Sequence, residues 1–415
     1  MRAWRHDGAP PHLVIDTPRT SNALALLWRP SQACVVTRVL FVVNADWFFL
    51  SHRLPLAIAA RNAGVEVVVV AGDTGKSAPI RDQGLEFVSL PISRSSTNPL
   101  TDARTLIFLF SLYRQLRPDL VHHVTVKPII YGSLAARAVG GIAVVNAISG
   151  LAYTFSSDSL HARTVRPLVT VLYRLALRFT HSRTIFQNPD DRDELIRLGV
   201  VRPQQAVLIR GSGVNCSTFA PTAEPDGVPV VMLPARMIRE KGVEEFVRAA
   251  GLLLGSGHGA RFVLVGDSDP ANPGSIDPLQ LEAWTREGLV ECWGHQSDMA
   301  AVLARANIVV LPAYREGLPK VLLEAAACAR AIVTTDVPGC REIVRSAVNG
   351  LLVPARDAIA LAGAIATLLQ SRELREQFGR AGRAIAVNEF AEEIVVKNTL
   401  ALYRALLRDR WPDRS

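Results

Sequence analysis

The chain has 415 residues, 49% hydrophobic and 20% charged, enough to bury large cores in two or three domains. Its five cysteines (Cys34, Cys216, Cys292, Cys328 and Cys340) are scattered without a C-x-x-C pair, which argues against a disulfide framework or a zinc site and for a reducing compartment. Residues 1–214 hold 24 Lys and Arg against 14 Asp and Glu, a net +10, whereas residues 215–415 hold 22 against 24, a net −2. That asymmetry suits a polyanionic partner for the first half, an anionic membrane or nucleic acid. No interleaving of aromatic and basic residues supports nucleic acid.

In chain order, residues 1–36 carry Pro10, Pro11, Pro18 and Pro30 and no strand pattern. They read as a disordered arm or an extension from an upstream start, and the apolar patch 23–28 is too short for a signal-peptide core. Strands are then expected over 38–43, 65–70, 87–90, 120–124, 143–147, 184–186 and 207–210. Helices lie between them, over 52–62, 106–116 and 128–139 among others. Near-continuous Val and Ile runs imply a parallel sheet covered on both faces. The stretch 216–229, with four Pro or Gly, reads as a linker. The pattern restarts with strands over 230–233, 262–265, 289–293, 308–311 and 331–334, helices over 243–254 and 299–306, and a last amphipathic helix over 393–407. The fold class is therefore α/β, with two doubly wound Rossmann-like domains over 37–215 and 230–391. No apolar run is long enough to span a bilayer.

Three constellations carry chemistry. Glu316 and Glu324 stand eight residues apart in Tyr-Arg-Glu-Gly-Leu-Pro-Lys-Val-Leu-Leu-Glu, directly after the strand at 308–311. Pro319 suits the first turn of a helix. Glu316 then lies in the loop leaving the strand, and Glu324 lies in the second helical turn. Ligands in open α/β sheets bind at that end of the strands, and a helix N-terminus there favours anions. Glu324 is flanked by Val321, Leu322, Leu323 and three alanines, where a carboxylate is costly unless hydrogen-bonded. Ligand hydroxyls would serve, and so would an ion pair with Arg330 or Arg341. Arg236 and Lys241, in Pro-Ala-Arg-Met-Ile-Arg-Glu-Lys-Gly, flank the first strand-to-helix loop of the second half, where they can grip phosphate. In the first half, the loop Asn44-Ala45-Asp46-Trp47-Phe48 follows the first strand. It lacks G-x-G-x-x-G, which disfavours NAD. Asp267-Ser268-Asp269 mimics a metal-binding pair but falls in a Gly- and Pro-rich loop, so no metal is expected.

Taken together, these motifs resemble those of the retaining GT-B glycosyltransferases of the E-x7-E group, which include bacterial capsule, O-antigen and lipid-linked oligosaccharide transferases. Gly213-Val214-Asn215 with Phe219 and Pro221, Phe186-Gln187-Asn188, and 334–342 (Thr-Thr-Asp-Val-Pro-Gly-Cys-Arg-Glu) add to the resemblance, which runs from about Arg38 to the C-terminus. It implies two domains facing across a cleft, with residues 392–415 returning to the first. It also implies transfer of a hexose or N-acetylhexosamine from a nucleotide sugar, UDP-linked, to a polyprenyl-diphosphate-linked saccharide, without a metal or other cofactor. Arg236 and Lys241 would hold the donor diphosphate, and Glu324 the ribose. Glu316, with the Gly317–Leu318 backbone, would hold the transferred sugar. Gly294 and His295 would lie near the base, and Asn44 and Asp46 on the acceptor side. Many relatives carry His-Gly where this chain has Ser149-Gly150. That departure leaves His52 and His123, beside Glu316, as catalytic candidates. A sugar-nucleotide epimerase of the same architecture and a non-catalytic nucleotide-sugar-binding protein are the alternatives.

One further pattern bears on location. Arg163, Arg166, Arg174 and Arg178 share a helical face. Leu168, Val169, Val171, Leu172, Leu175 and Phe179 are expected mostly on the opposite one. Such a basic amphipathic helix in the basic half implies peripheral attachment to the inner, cytoplasmic face of an anionic membrane.

Overall fold

The computed structural model describes residues 37–93, 98–151, 160–179, 181–270 and 272–412, with the side chains of 160–165 excepted. The arm 1–36 lies outside the described residues. The first sheet contains β1 (Arg38–Val43), β2 (Glu66–Ala71), β3 (Glu86–Ser89), β4 (Leu120–Val124), β5 (Ala143–Ile148), β6 (Ser182–Phe186) and β7 (Ala206–Leu208). All neighbours are parallel, in the order β3-β2-β1-β4-β5-β6-β7. The second contains β8 (Val230–Pro234), β9 (Arg261–Val265), β10 (Glu291–Cys292), β11 (Ile308–Leu311), β12 (Ala331–Thr335) and β13 (Gly350–Val353). Its order is β10-β9-β8-β11-β12-β13, again parallel throughout.

The continuous apolar runs follow from burial on both faces. In β1, Val39, Phe41 and Val43 belong to one core, and Leu40 and Val42 to another on the other side of the sheet. The strand order reverses between β1 and β4 in the first sheet and between β8 and β11 in the second. Each reversal opens a crevice at the carboxyl ends of its strands.

The structure departs from the sequence expectation in several places. Residues 46–48, read as loop, begin the helix Asp46–His52. The stretch 128–139 is a π-helical turn, Pro128–Gly132, followed by the α-helix Ser133–Val139. Pro319 is the N-cap of the helix Lys320–Ala327 rather than part of its first turn. β13 and the helices Ala358–Gln370 and Arg372–Glu389 were not anticipated.

The helix Leu160–Leu177 also differs from its expected pattern. Tyr173, Ala176 and Leu177 are buried, but Leu168, Val171 and Leu175 are 61, 47 and 49% exposed. Arg174 and Arg178 are exposed as well, so basic and apolar residues both face solvent. The side chain of Arg163 lies outside the described residues. No helix among the described residues is long and apolar enough to cross a membrane.

The chain crosses between the domains twice at one place. Val214 N–H donates to Phe390 O (3.0 Å) and Glu392 N–H to Val214 O (3.0 Å), so the outgoing and returning strands pair. Arg383 fixes the outgoing segment to the second domain, donating to the carbonyls of Cys216 (3.0 Å), Phe219 and Ala327 (both 2.9 Å). The last helix, Glu392–Leu407, then packs Val395, Tyr403 and Leu407, with Trp411, against Val39, Phe41 and Leu56 of the first domain. Each such buried apolar side chain contributes roughly 2 kcal/mol. The Tyr403 hydroxyl also bonds the buried His122 Nδ1.

Candidate active site

The donor side is built at the carboxyl end of β8. The Ala235 and Met237 amides extend its pairing to Val265 O (2.9 Å) and Asp267 O (3.0 Å). The chain then makes a tight turn, Arg239–Lys241, and enters the helix Val243–Gly255 through Gly242. Gly242 has φ +72°, and a Cβ there would clash with Pro312 O. Only glycine lets the helix start come this close to the end of β11. The approach brings the Lys241 Nζ against the Glu316 Oε1 as an ion pair. Arg236 pairs with Asp269 (2.6 Å) while remaining half-exposed toward the cleft. Arg236, Lys241, Glu316 and Gly317 all line one pocket of about 430 Å³, joined by Ser149, Gly150 and Leu151 of the first domain.

Glu324 lies in the helix Lys320–Ala327 and is 8% exposed. Neither arginine considered from the sequence reaches it. Arg330 donates to Leu303 O (3.0 Å) and Ala304 O (3.2 Å), and Arg341 binds Asp336 (2.8 Å). Among the described residues the cation beside it is Lys320, one turn back at 3.8 Å. Burial pushes the Glu324 carboxyl up to about 7, with Lys320 opposing. Lys320 also donates to Ser51 O of the first domain (2.7 Å).

The domains meet at two glycines. Gly150 (φ +111°) places its Cβ position 3.0 Å from the Gly317 Cα and N, and a Cβ on Gly317 would strike the Ser149 carbonyl. Around this seam, Asn188 Nδ2 donates to Gly317 O (2.7 Å), and Arg315 pairs with the buried Asp191. Asp191 also accepts from the Leu151 amide (3.2 Å). Leu318 is buried against Gly211 of the first domain. Asn188, Asp191, Arg315 and Lys320 were not singled out as site residues from the sequence. The Asn-Pro-Asp-Asp cap at 188–191 and the arginine preceding Glu316 were the available signals.

Other candidates fall elsewhere. His123 is 0% exposed: its Nε2 accepts from the Tyr113 hydroxyl (2.9 Å) and its Nδ1 donates to Asn146 Oδ1 (2.9 Å). Burial pushes its imidazole down to about 4. It is a neutral framework residue with both ring nitrogens occupied, and the catalytic expectation for it is corrected. His52 stacks on Phe48 at 4.1 Å and bonds Ser51 Oγ (2.6 Å). Burial, with Arg53 and Lys320, pushes it down to about 3, and it packs at the domain seam outside the pocket.

Asp46 is fully buried and accepts from Thr74 Oγ1 (2.5 Å) and from the amides of Trp47 (2.7 Å), Thr74 and Lys76 (both 2.8 Å). Burial raises its carboxyl, but these bonds outweigh it and hold the group below its ordinary value. Asp46 therefore shapes the loop after β2, and its acceptor-side expectation is corrected. Asn44 stays partly exposed at the end of β1. Gly294 and His295 sit beside the end of β9. The Gly294 carbonyl accepts from Gly266 (2.8 Å), and the His295 amide donates to Asp267 (3.0 Å) with its side chain exposed. Asp267 and Asp269 are thus taken by His295 and Arg236. No group of three His, Cys, Asp or Glu among the described residues could hold a metal.

Known proteins share this architecture and these halves. The chain is 29% identical over 385 residues to the N,N'-diacetylbacillosaminyl-diphospho-undecaprenol alpha-1,3-N-acetylgalactosaminyltransferase of Campylobacter jejuni, covering 90% of this chain and 100% of that one. It is 22% identical over 326 residues to the UDP-Gal:alpha-D-GlcNAc-diphosphoundecaprenol alpha-1,3-galactosyltransferase of Escherichia coli, covering 75% and 82%. Among solved structures, sucrose-phosphate synthase from Thermosynechococcus elongatus superposes with TM-score 0.76 at 21% identity, over 90% of this chain and 100% of that one. Anabaena Alr3699/HepE in complex with UDP gives 0.72 at 17%, over 89% and 100%. A glycosyl transferase 4-like family model matches residues 38–188, and the glycosyl transferases group 1 model matches 228–371. The chain belongs to the GT-B glycosyltransferases, its first half of the 4-like kind and its second of group 1.

Proposed function

We propose that the protein transfers a hexose or N-acetylhexosamine from a UDP-linked sugar, with retention of configuration, to a saccharide carried on a polyprenyl diphosphate, as a step in surface polysaccharide or glycan assembly. The observation that carries this reading is the convergence of Arg236, Lys241 and Glu316 on one pocket whose far wall is Ser149 to Leu151. A departing nucleotide diphosphate gains negative charge, and cations fixed in place stabilise it most in a site shielded from water. Glu316 and Glu324, when ionised, only accept hydrogen bonds, which suits sugar hydroxyls. The printed names of the Campylobacter and Escherichia relatives support a lipid-linked acceptor. The test incubates the protein with a panel of nucleotide sugars and a short-chain polyprenyl-diphosphate saccharide. Glycosylated acceptor should appear in step with nucleotide diphosphate. An isomerised donor formed without acceptor would overturn the reading in favour of an epimerase.

The first domain is also proposed to rest on the cytoplasmic face of an anionic membrane. The net charge of +10 over residues 1–214, arm included, and the exposed Leu168, Val171 and Leu175 beside Arg174 and Arg178 support this. Apolar side chains can enter the acyl boundary while the basic ones meet anionic headgroups.

A further inference from the structure

We propose that the first domain holds one small monovalent anion, of the size of chloride, in the cavity lined by Arg53 and His122, where it helps to fix the returning helix Glu392–Leu407 to the sheet. This inference is independent of the transferase reading. The cavity has a volume of about 20 Å³ and is separate from the donor pocket. Leu56 and Ile185 form apolar parts of its wall, and Val395 and Thr399 of the returning helix close it. The Thr399 hydroxyl is taken, donating to Val395 O (2.8 Å).

Arg53 is the first sign. It is 5% exposed, and its guanidinium donates to the carbonyl of its neighbour His52 (3.0 Å). Its Nε is enclosed and has no hydrogen-bond partner within the protein. Among the described residues no carboxylate pairs with it, and the group that acts on its charge is the Tyr403 hydroxyl. Burial presses the guanidinium down to about 10, with Tyr403 opposing, so it is still charged at neutral pH. A buried charge without a counter-charge is among the costliest arrangements in a fold.

His122 is the second. It is 1% exposed, and its Nε2 is likewise enclosed and unpartnered. Its Nδ1 bonds the Tyr403 hydroxyl, whose one hydrogen-bond partner among the described residues it is. The phenol therefore donates, Nδ1 accepts, and the ring proton sits on Nε2. Burial, with Arg53 and His123, holds this imidazole well below its ordinary value, so it stays neutral. One cation and two unused N–H donors thus line the same space. A water there would accept from both but leave the guanidinium uncompensated. An anion does both, as buried polar groups in a native fold require. Size selects which anion. About 10–15 Å³ holds one water-sized body, so this cavity admits a single-atom anion and excludes a phosphate or a sugar.

The test follows the Tm of the full chain as chloride replaces gluconate at fixed ionic strength, and locates bromide by anomalous diffraction from crystals grown in sodium bromide. Tm should rise saturably with chloride, by roughly 2 °C or more, because an ion that binds only the folded state stabilises it. The bromide peak should lie within hydrogen-bonding reach of Arg53 Nε and His122 Nε2. Arg53→Met keeps the stem and removes the charge, so it should lose both the saturable rise and the peak. A wild-type Tm that does not respond to chloride would overturn the site, as would a water without anomalous signal at that position. A saturable rise that survives in Arg53→Met places the ion elsewhere and equally overturns it. Should Arg53→Met fail to fold, diffraction from the wild type decides alone. None of these readouts involves nucleotide or sugar, so a failure of the transferase reading leaves them unchanged.

Discussion

Lys241 and Glu316 are bonded to each other across the donor side of the cleft. One is assigned to the donor's phosphate and the other to its sugar, so the two charges neutralise each other and a donor that takes both must part the pair. Removing the glutamate frees the lysine. Glu316→Ala should therefore bind UDP at least as tightly as wild type in calorimetry, while transfer drops by a factor on the order of 10². A matching loss of UDP affinity would contradict this exchange.

Arg236 and Lys241 should matter to rate more than to folding. Arg236 is half-exposed and paired at the surface with Asp269, a kind of contact worth little to stability. Arg236→Ala and Lys241→Ala are each expected to lower kcat/KM by about 10² or more, with circular-dichroism melts close to wild type. Normal turnover in either variant places the diphosphate elsewhere.

Glu324 makes both binding and stability depend on pH. Burial raises its carboxyl from 4.5 to about 7, so the fold favours the protonated form. That contribution is full below about pH 4.5 and fades as pH rises through 7, a swing on the order of 3 kcal/mol. Donor hydroxyls need the ionised form. Affinity for a UDP-sugar, whose esterified phosphates do not titrate here, should rise between pH 6 and 8 as Tm falls. Glu324→Gln should flatten both trends, and a flat wild-type profile would remove the role.

Gly317 and Gly150 set how near the domains come. A methyl group on Gly317 would meet the Ser149 carbonyl and wedge the seam apart. Gly317→Ala should cut transfer by roughly 10² through misplacement of about an ångström. UDP binding should persist, because Arg236 and Lys241 lie wholly in the second domain. Full activity in this variant would mean that the seam is not the reacting geometry.

Membrane attachment should show both a charge and an apolar component. Vesicle flotation at low salt should favour anionic over neutral lipid and weaken at high salt. Leu168→Ser/Val171→Ser/Leu175→Ser should reduce it while leaving the melt near wild type, since all three side chains are exposed. Equal flotation on neutral and anionic vesicles would refute the electrostatic part.

Much of this was legible in the sequence, for identifiable reasons. The run of Val, Ile and Leu before Glu316 marks a strand buried on both faces, and the proline after it marks a helix start. The two glutamates could therefore be set at a strand end. The residues whose roles were misread act through long-range pairing. Asp46 looks like a loop carboxylate until the amides of Thr74 and Lys76 fold onto it. His123 looks reactive until Tyr113 and Asn146 occupy both nitrogens. The apolar residues of 168–175 have helical period, and periodicity alone cannot tell Val169, Leu172 and Tyr173, which pack, from Leu168, Val171 and Leu175, which stay exposed. The seam needed Ser149 and Gly317, 168 positions apart in sequence, to be seen together.

The paired crossing at Val214 and Ala391 fixes how this molecule can move. Both covalent ties between the halves pass through one short parallel bridge, with Gly213 (φ +78°) packed so tightly that a Cβ there would strike Glu392. Two tethers gathered at one point behave as a single hinge pin rather than as two independent straps. Opening of the cleft is then a swing about that point, least at the root beside Gly213. A bulkier residue at 213 would act on the rate of the swing, from a position that touches neither sugar nor phosphate.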